Sequence, residues 1–246
     1  MKQHIIIFIW LTSFFSGILL LSACTKQNGT MPAYTPVNPV TPISNTRNYT
    51  YLALGDSYTI GQSVTEKERF PFLAKELLNS RGIAINDLKY IAQTGWSTIA
   101  LQNAIAAAEP LGSFDIVTLL IGVNDQYQRL DTAGYRVRFT QLLNKAVSLA
   151  KNNEKHVFVL SIPDYSATQF VGAADKERVR KEIDAFNAIN KEITLQHNIS
   201  YTDITDLSRE AVLNPALLAN DGLHYSAAEH FQWAEKLVSS ILLAFQ

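Results

Sequence analysis

Tyr51-Leu52-Ala53-Leu54-Gly55-Asp56-Ser57-Tyr58-Thr59-Ile60-Gly61 is an apolar run of strand length that stops at a glycine and passes at once into an acid and a serine. A parallel strand delivers its last residues to the carboxyl edge of its sheet, where open α/β folds place their sites. A serine there is exposed on a loop yet held by a rigid element. Gly-Asp-Ser is also ordinary turn chemistry. This stretch alone leaves turn and nucleophile both open.

Downstream, residues 70–82 place a proline near a helix start and a glycine past its end, around a stripe of Leu73, Leu77 and Leu78. Residues 88–92 predict a short strand ending in Gln93-Thr94-Gly95-Trp96-Ser97, and an Ala-rich helix over 98–109 stops at Pro110. Residues 114–121 are nearly continuous apolar, as a central parallel strand covered on both faces would be. They end in Gly122-Val123-Asn124-Asp125. Helices over 134–152 and 175–197, strands over 156–162 and 199–204, and a closing helix over 227–245 complete the pattern. Strand and helix alternate five times. That predicts one α/β domain over 49–246, a doubly wound parallel sheet in a three-layer αβα arrangement.

The 246 residues are 47% hydrophobic and 17% charged with a net charge of -1, which suits a globular domain with a good core. So even a balance, with no basic run interleaved with aromatics, gives nucleic acid no footing as a partner. Before residue 24 the one charged side chain is Lys2, and residues 5–21 are almost wholly apolar. That start reads as a secretory signal over 1–24. Leu21-Ser22-Ala23-Cys24 resembles the bacterial lipobox, whose cysteine is lipidated and becomes the mature N-terminus; an uncleaved membrane anchor is the other reading. Cys24 is the chain's single cysteine, so no intramolecular disulfide or Cys-based metal site exists. Residues 25–48 hold Pro32, Pro36, Pro39 and Pro42 among Thr, Asn and Ser, and predict an extended linker. The expectation is a lipid-anchored, extracytoplasmic monomer that meets the membrane through its N-terminus alone.

Four loops then stand out, carrying Ser57, Gly95, Asn124, and Asp221 with His224. In a parallel sheet they open on one edge, so residues distant in sequence can meet. A serine hydroxyl is a poor nucleophile until a neighbouring imidazole takes its proton, which His224 can do. Asp221, three residues earlier, can accept the other ring N–H and support the imidazolium. Acyl transfer passes through an oxyanion that needs fixed donors: the Gly95 N–H, the Asn124 amide and the Ser57 N–H can supply them. The set is sufficient for ester hydrolysis without metal or cofactor.

These blocks resemble the SGNH (GDSL) hydrolases. Gly55-Asp56-Ser57 with Gly61, then Gly95, then Gly122-Val123-Asn124-Asp125, then Asp221-Gly222-Leu223-His224 match the family's blocks in order. The resemblance implies Ser57 as nucleophile, His224 as base with Asp221 behind it, and Ser57, Gly95 and Asn124 as the oxyanion hole. It also implies a flavodoxin-like five-stranded sheet of order 2-1-3-4-5.

Blander readings stand beside these. Gly95 and Gly122 can be turn glycines, Asn124-Asp125 can cap a helix, and His156, His197 and His230 read as structural. Asp56 is expected to cap the helix or hold the loop. Trp96 and Tyr127 lie beside the oxyanion residues, and Asp164 follows a strand; these three are candidates for a substrate cleft. No Gly-x-Ser-x-Gly elbow, His-Glu-x-x-His or P-loop is present. A flavin phosphate at the first helix would meet the Asp56 carboxylate, which repels it. The expected activity is a serine esterase, a carbohydrate O-deacetylase or general short-chain esterase. The alternatives are a lysophospholipase or acyl thioesterase, acting on a lipid ester or thioester, and a non-catalytic surface glycan binder.

Overall fold

The computed structural model describes residues 47–246. The signal over 1–24 with Cys24, and the linker up to residue 46, lie outside the described residues. Five strands, β1 (Tyr49–Gly55), β2 (Ile85–Ala92), β3 (Ile116–Leu120), β4 (Val157–Leu160) and β5 (Ser200–Thr202), form one sheet of order β2-β1-β3-β4-β5. Every pairing is parallel. β3 and β4 are buried at every position, and Thr118 satisfies its hydroxyl against Tyr51 Oη at 3.1 Å. That burial explains the unbroken apolar reading of those two strands.

The longer helices are α2 (Phe70–Ser80), α3 (Thr98–Ala107), α5 (Thr132–Leu149), α6 (Lys176–Gln196) and α8 (Ala227–Ala244). α2 packs on α8, while α5 packs between α3 and α6, so the sheet is the middle of three layers. Short helices α1 (Ser57–Ile60), α4 (Val123–Tyr127) and α7 (Thr205–Arg209) follow β1, β3 and β5 directly.

Among the boundaries that differ from the sequence expectation, two are early starts with a plain cause. β2 begins at Ile85, before the expected 88, because Asn86 and Asp87 sit on an edge strand where polar side chains reach solvent. α5 begins at Thr132, before the expected 134, because Asp131 Oδ1 accepts the Gly134 N–H at 2.7 Å and caps it.

The register positions the site. Gly55 lies beside Ala92 of β2 and Leu120 of β3, so three strands end level. The segments that follow them emerge side by side. Only glycine fits at that corner: a Cβ on Gly55 would stand 2.5 Å from the Leu120 carbonyl oxygen and 2.1 Å from Thr59 Oγ1.

Candidate active site

Ser57 is the first residue of α1, immediately after β1. Asp56 caps this helix, its Oδ1 accepting the Tyr58 N–H at 3.0 Å. Gly61 closes it in the left-handed region at φ 66°, donating its N–H to the Ser57 carbonyl. The Tyr58 ring locks α1 into the aromatic core, with centroids 5.9 Å from Tyr225 and 6.0 Å from Trp233, and edge-on to His224 at 5.8 Å. Ser57 is thus fixed from both ends. As the first helical residue, its backbone N–H has no preceding turn to pair with.

His224 comes from the loop that precedes α8. Its Nδ1 lies 2.6 Å from Asp221 Oδ2, while Asp221 Oδ1 accepts the backbone N–H groups of Leu223 and His224 at 3.0 and 2.9 Å. Ser63 Oγ donates to Asp221 Oδ2 at 2.6 Å. Burial works to raise the Asp221 carboxyl, but the hydrogen bonds from Ser63, Leu223 and His224 outweigh it and hold the group well below the usual carboxylate range. With Nδ1 engaged by a carboxylate, His224 has Nε2 left to receive a proton.

The Gly95 turn lies at φ 84°, a conformation that favours glycine, and nothing lies within 4 Å of where a Cβ would stand. Asn124, the second residue of α4, donates one amide hydrogen to the Trp96 carbonyl at 3.0 Å. That bond ties α4 to the Gly95 turn, and no second bond from the amide is described. Asp125 anchors the same turn from below. Fully buried, it accepts the Thr98 N–H at 2.7 Å and the Thr98 hydroxyl at 2.5 Å, and pairs with Arg138 at 3.1 Å. It therefore caps α3 across space, a role hidden from sequence because Thr98 and Asp125 lie in different helices, 27 residues apart.

A cavity of about 180 Å³ joins these parts, bordered by Ser57, Gly95, Asn124 and His224. Val123, Tyr127, Tyr165, Phe170 and Leu223 give it an apolar wall. Among the described hydrogen bonds none joins Ser57 Oγ to His224. Such bonds are often long before substrate binds. Of the three cleft candidates, Tyr127 borders the cavity and is 57% exposed. Trp96 does not border it; its half-buried ring packs on the core, and its carbonyl serves Asn124. Asp164 is a correction: it is fully buried, pairing with Arg209 at 2.8 Å and accepting the Ser166 N–H. The neighbouring Tyr165 takes the cavity position instead. Tyr165, Phe170, Ser63 and the anchoring role of Asp125 had no motif to announce them.

Asp56 is buried to 0% exposure, and its Oδ2 has no partner. Burial, with a further push from the Asp125 charge and partial relief from the Tyr58 N–H, raises its carboxyl to about 8. Burial thus favours its protonated form. Among the described residues no cluster of three or more His, Cys, Asp or Glu could hold a metal ion.

The sequence model of the GDSL-like lipase/acylhydrolase family matches residues 53–230, well over half of the chain. No curated protein sequence matches significantly. Among solved structures, an acetyl xylan esterase from Geobacillus stearothermophilus is similar at TM-score 0.62 and 19% identity, covering 78% of this chain and 94% of its own. TesA aligns at TM-score 0.63 and 16% identity over 79% and 99%. The psychrotrophic esterase EstA from Pseudoalteromonas sp. aligns at 0.61 and 16% over 79% and 97%. At such identities these three establish the shared fold. The matched family span runs through the serine, the glycine–asparagine turns and the acid–base loop, and on this evidence the chain belongs to the GDSL-like lipase/acylhydrolase family and is a serine ester hydrolase.

Proposed function

We propose that the enzyme cleaves short-chain carboxylic esters through an acyl-Ser57 intermediate, with O-acetylated carbohydrate as its substrate class. The observation carrying this reading is the cavity beside Ser57. Its volume of about 180 Å³ suits a small acyl group, and ligand pockets for larger molecules run to roughly 300–1,000 Å³. Tyr127 and Phe170, both more than half exposed at that cavity, offer flat apolar faces for a sugar ring. The fold shared with an acetyl xylan esterase is consistent with this reading.

In the proposed sequence, Ser57 Oγ attacks the ester carbonyl carbon while its proton passes to His224 Nε2. The carbonyl oxygen becomes an oxyanion and takes hydrogen bonds from the Ser57 and Gly95 N–H groups and the free Asn124 amide hydrogen. Collapse expels the alcohol, which leaves with the His224 proton. Water then repeats the cycle at the acyl-serine, returning Ser57 and releasing the acid. Asp221, held ionised far below neutrality, keeps His224 in the productive tautomer and balances its charge. Tethering through Cys24 would hold this chemistry outside the cytoplasm.

A substrate panel tests the reading: p-nitrophenyl esters of graded chain length, acetylated xylo-oligosaccharides, lysophospholipid and acyl-CoA. Acetyl and butyryl esters should be cleaved at least tenfold faster than dodecanoyl esters. The reverse order, or faster turnover of lysophospholipid or acyl-CoA, would favour the long-chain alternative. Ser57→Ala should abolish p-nitrophenyl acetate turnover with the circular dichroism spectrum unchanged; a variant that still turns over removes Ser57 from the role.

A further inference from the structure

We propose that the loop after α1, residues 61–64, braces the acid–base pair against the nucleophile, with Ser63 as a positioning residue for Asp221 and His224. This inference rests on the serine-hydrolase reading of the site. The Asp221 carboxylate receives four hydrogen bonds, and three come from its own loop: two backbone N–H groups and the His224 ring. Ser63 Oγ supplies the fourth, from 158 residues away in sequence. It binds Oδ2, the oxygen that also faces His224 Nδ1. Without Ser63, the carboxylate would be oriented only by the loop it shares with the histidine. Ring packing of Tyr58 on His224 and Tyr225 would still hold that loop near Ser57, but no described hydrogen bond from outside the loop would aim the carboxylate.

The other end of the brace is tied to the nucleophile. The Gln62 N–H donates to the Ser57 carbonyl at 2.9 Å, so Ser63 follows a residue bonded to Ser57 itself. Gln62 also reaches the third part of the site, its Oε1 accepting the Thr94 hydroxyl at 2.7 Å beside Gly95. Two adjacent residues, Gln62 and Ser63, thus touch nucleophile, acid and oxyanion turn. Ser63 makes its bond from the left-handed region, at φ 69°. Glycine would adopt that backbone more readily, yet glycine has no hydroxyl to give.

That contrast supplies the test. Ser63→Gly suits the backbone and removes the hydroxyl, so it separates positioning from folding. It should lower kcat for p-nitrophenyl acetate about tenfold with KM within twofold, a loss of orientation and not of binding. Losing a donor on Oδ2 concentrates negative charge facing His224, so the acid limb of the kcat/KM profile should move to higher pH. Gln62→Ala should lower kcat about threefold with that limb unmoved, since it loosens the Gly95 side alone. A Ser63→Gly enzyme with wild-type kcat and a superimposable pH profile would overturn the proposal, as would a Gln62→Ala variant that shifts the limb. Proton NMR of the His224 Nδ1–H needs no substrate: Ser63→Gly should shift and broaden that signal, and an unchanged signal overturns the brace even if turnover is absent. Absent turnover in the wild type would instead overturn the esterase reading.

Discussion

Asn124 donates one amide hydrogen to the Trp96 carbonyl, and the proposed mechanism gives the other to the oxyanion. Asn124→Ala removes both, so it should lower kcat by about 10²–10³, the loss seen when an oxyanion asparagine is deleted from subtilisin. A fall under threefold in steady-state kinetics would take Asn124 out of that role. Asp56 acts on stability instead. Its folded-state carboxyl near 8 lies above the value of about 3.9 for a free aspartate. The group favours folding fully below the free value and loses that contribution as pH rises through 4 to 8. Asp56→Asn keeps an oxygen for the Tyr58 N–H and never ionises. Its Tm relative to wild type should therefore climb steadily between pH 5 and 8; a constant difference across that range would contradict a neutral Asp56.

At the scale of elements, the turn carrying Gly95 depends on α3 and α4 being joined. Asp125 does that joining: it caps α3 through Thr98 and pairs with Arg138 while fully buried. Asp125→Ala should cost roughly 2–4 kcal/mol in denaturant unfolding, since it uncaps a helix and takes the carboxylate from a partly buried Arg138. The strands were legible because apolar runs stop at turn residues, and the serine, asparagine and histidine loops because their motifs resemble family blocks in order. Asp125 was legible only as a capping residue, its target unreadable, because the Thr98 it serves opens another helix. Asp164 was misplaced by one residue: the turn after β4 buries the acid under Arg209 and gives the cavity to Tyr165. Nothing in local sequence ranks those two neighbours, since a distant arginine decides between them.

Across the whole molecule, several buried groups sit away from their ordinary ionisation and set the pH range of the fold. Burial raises Glu229 to about 7 despite its bond from the Trp233 indole, in the same direction as Asp56. Burial lowers His230 to about 3, aided by repulsion from His224 and Arg69. The two acids erode stability as pH climbs above the free carboxyl range toward 7 and 8. The histidine erodes it as pH drops below about 6.5. Thermal stability should therefore peak in mildly acidic buffer and decline from about pH 5.5 to 8, as differential scanning calorimetry would record. A Tm still rising through pH 8 would mean those acids are charged in the native state. One parallel sheet obliges its carboxyl-edge loops to share a rim, which is why candidates far apart in sequence could be grouped, while the strand order came from the family resemblance.

In the proposed mechanism the nucleophile follows the first strand directly and the base sits in the loop before α8. During synthesis the serine thus leaves the ribosome long before the imidazole meant to activate it exists. On that reading, a nascent chain gains its esterase chemistry only once the loop before α8 has emerged.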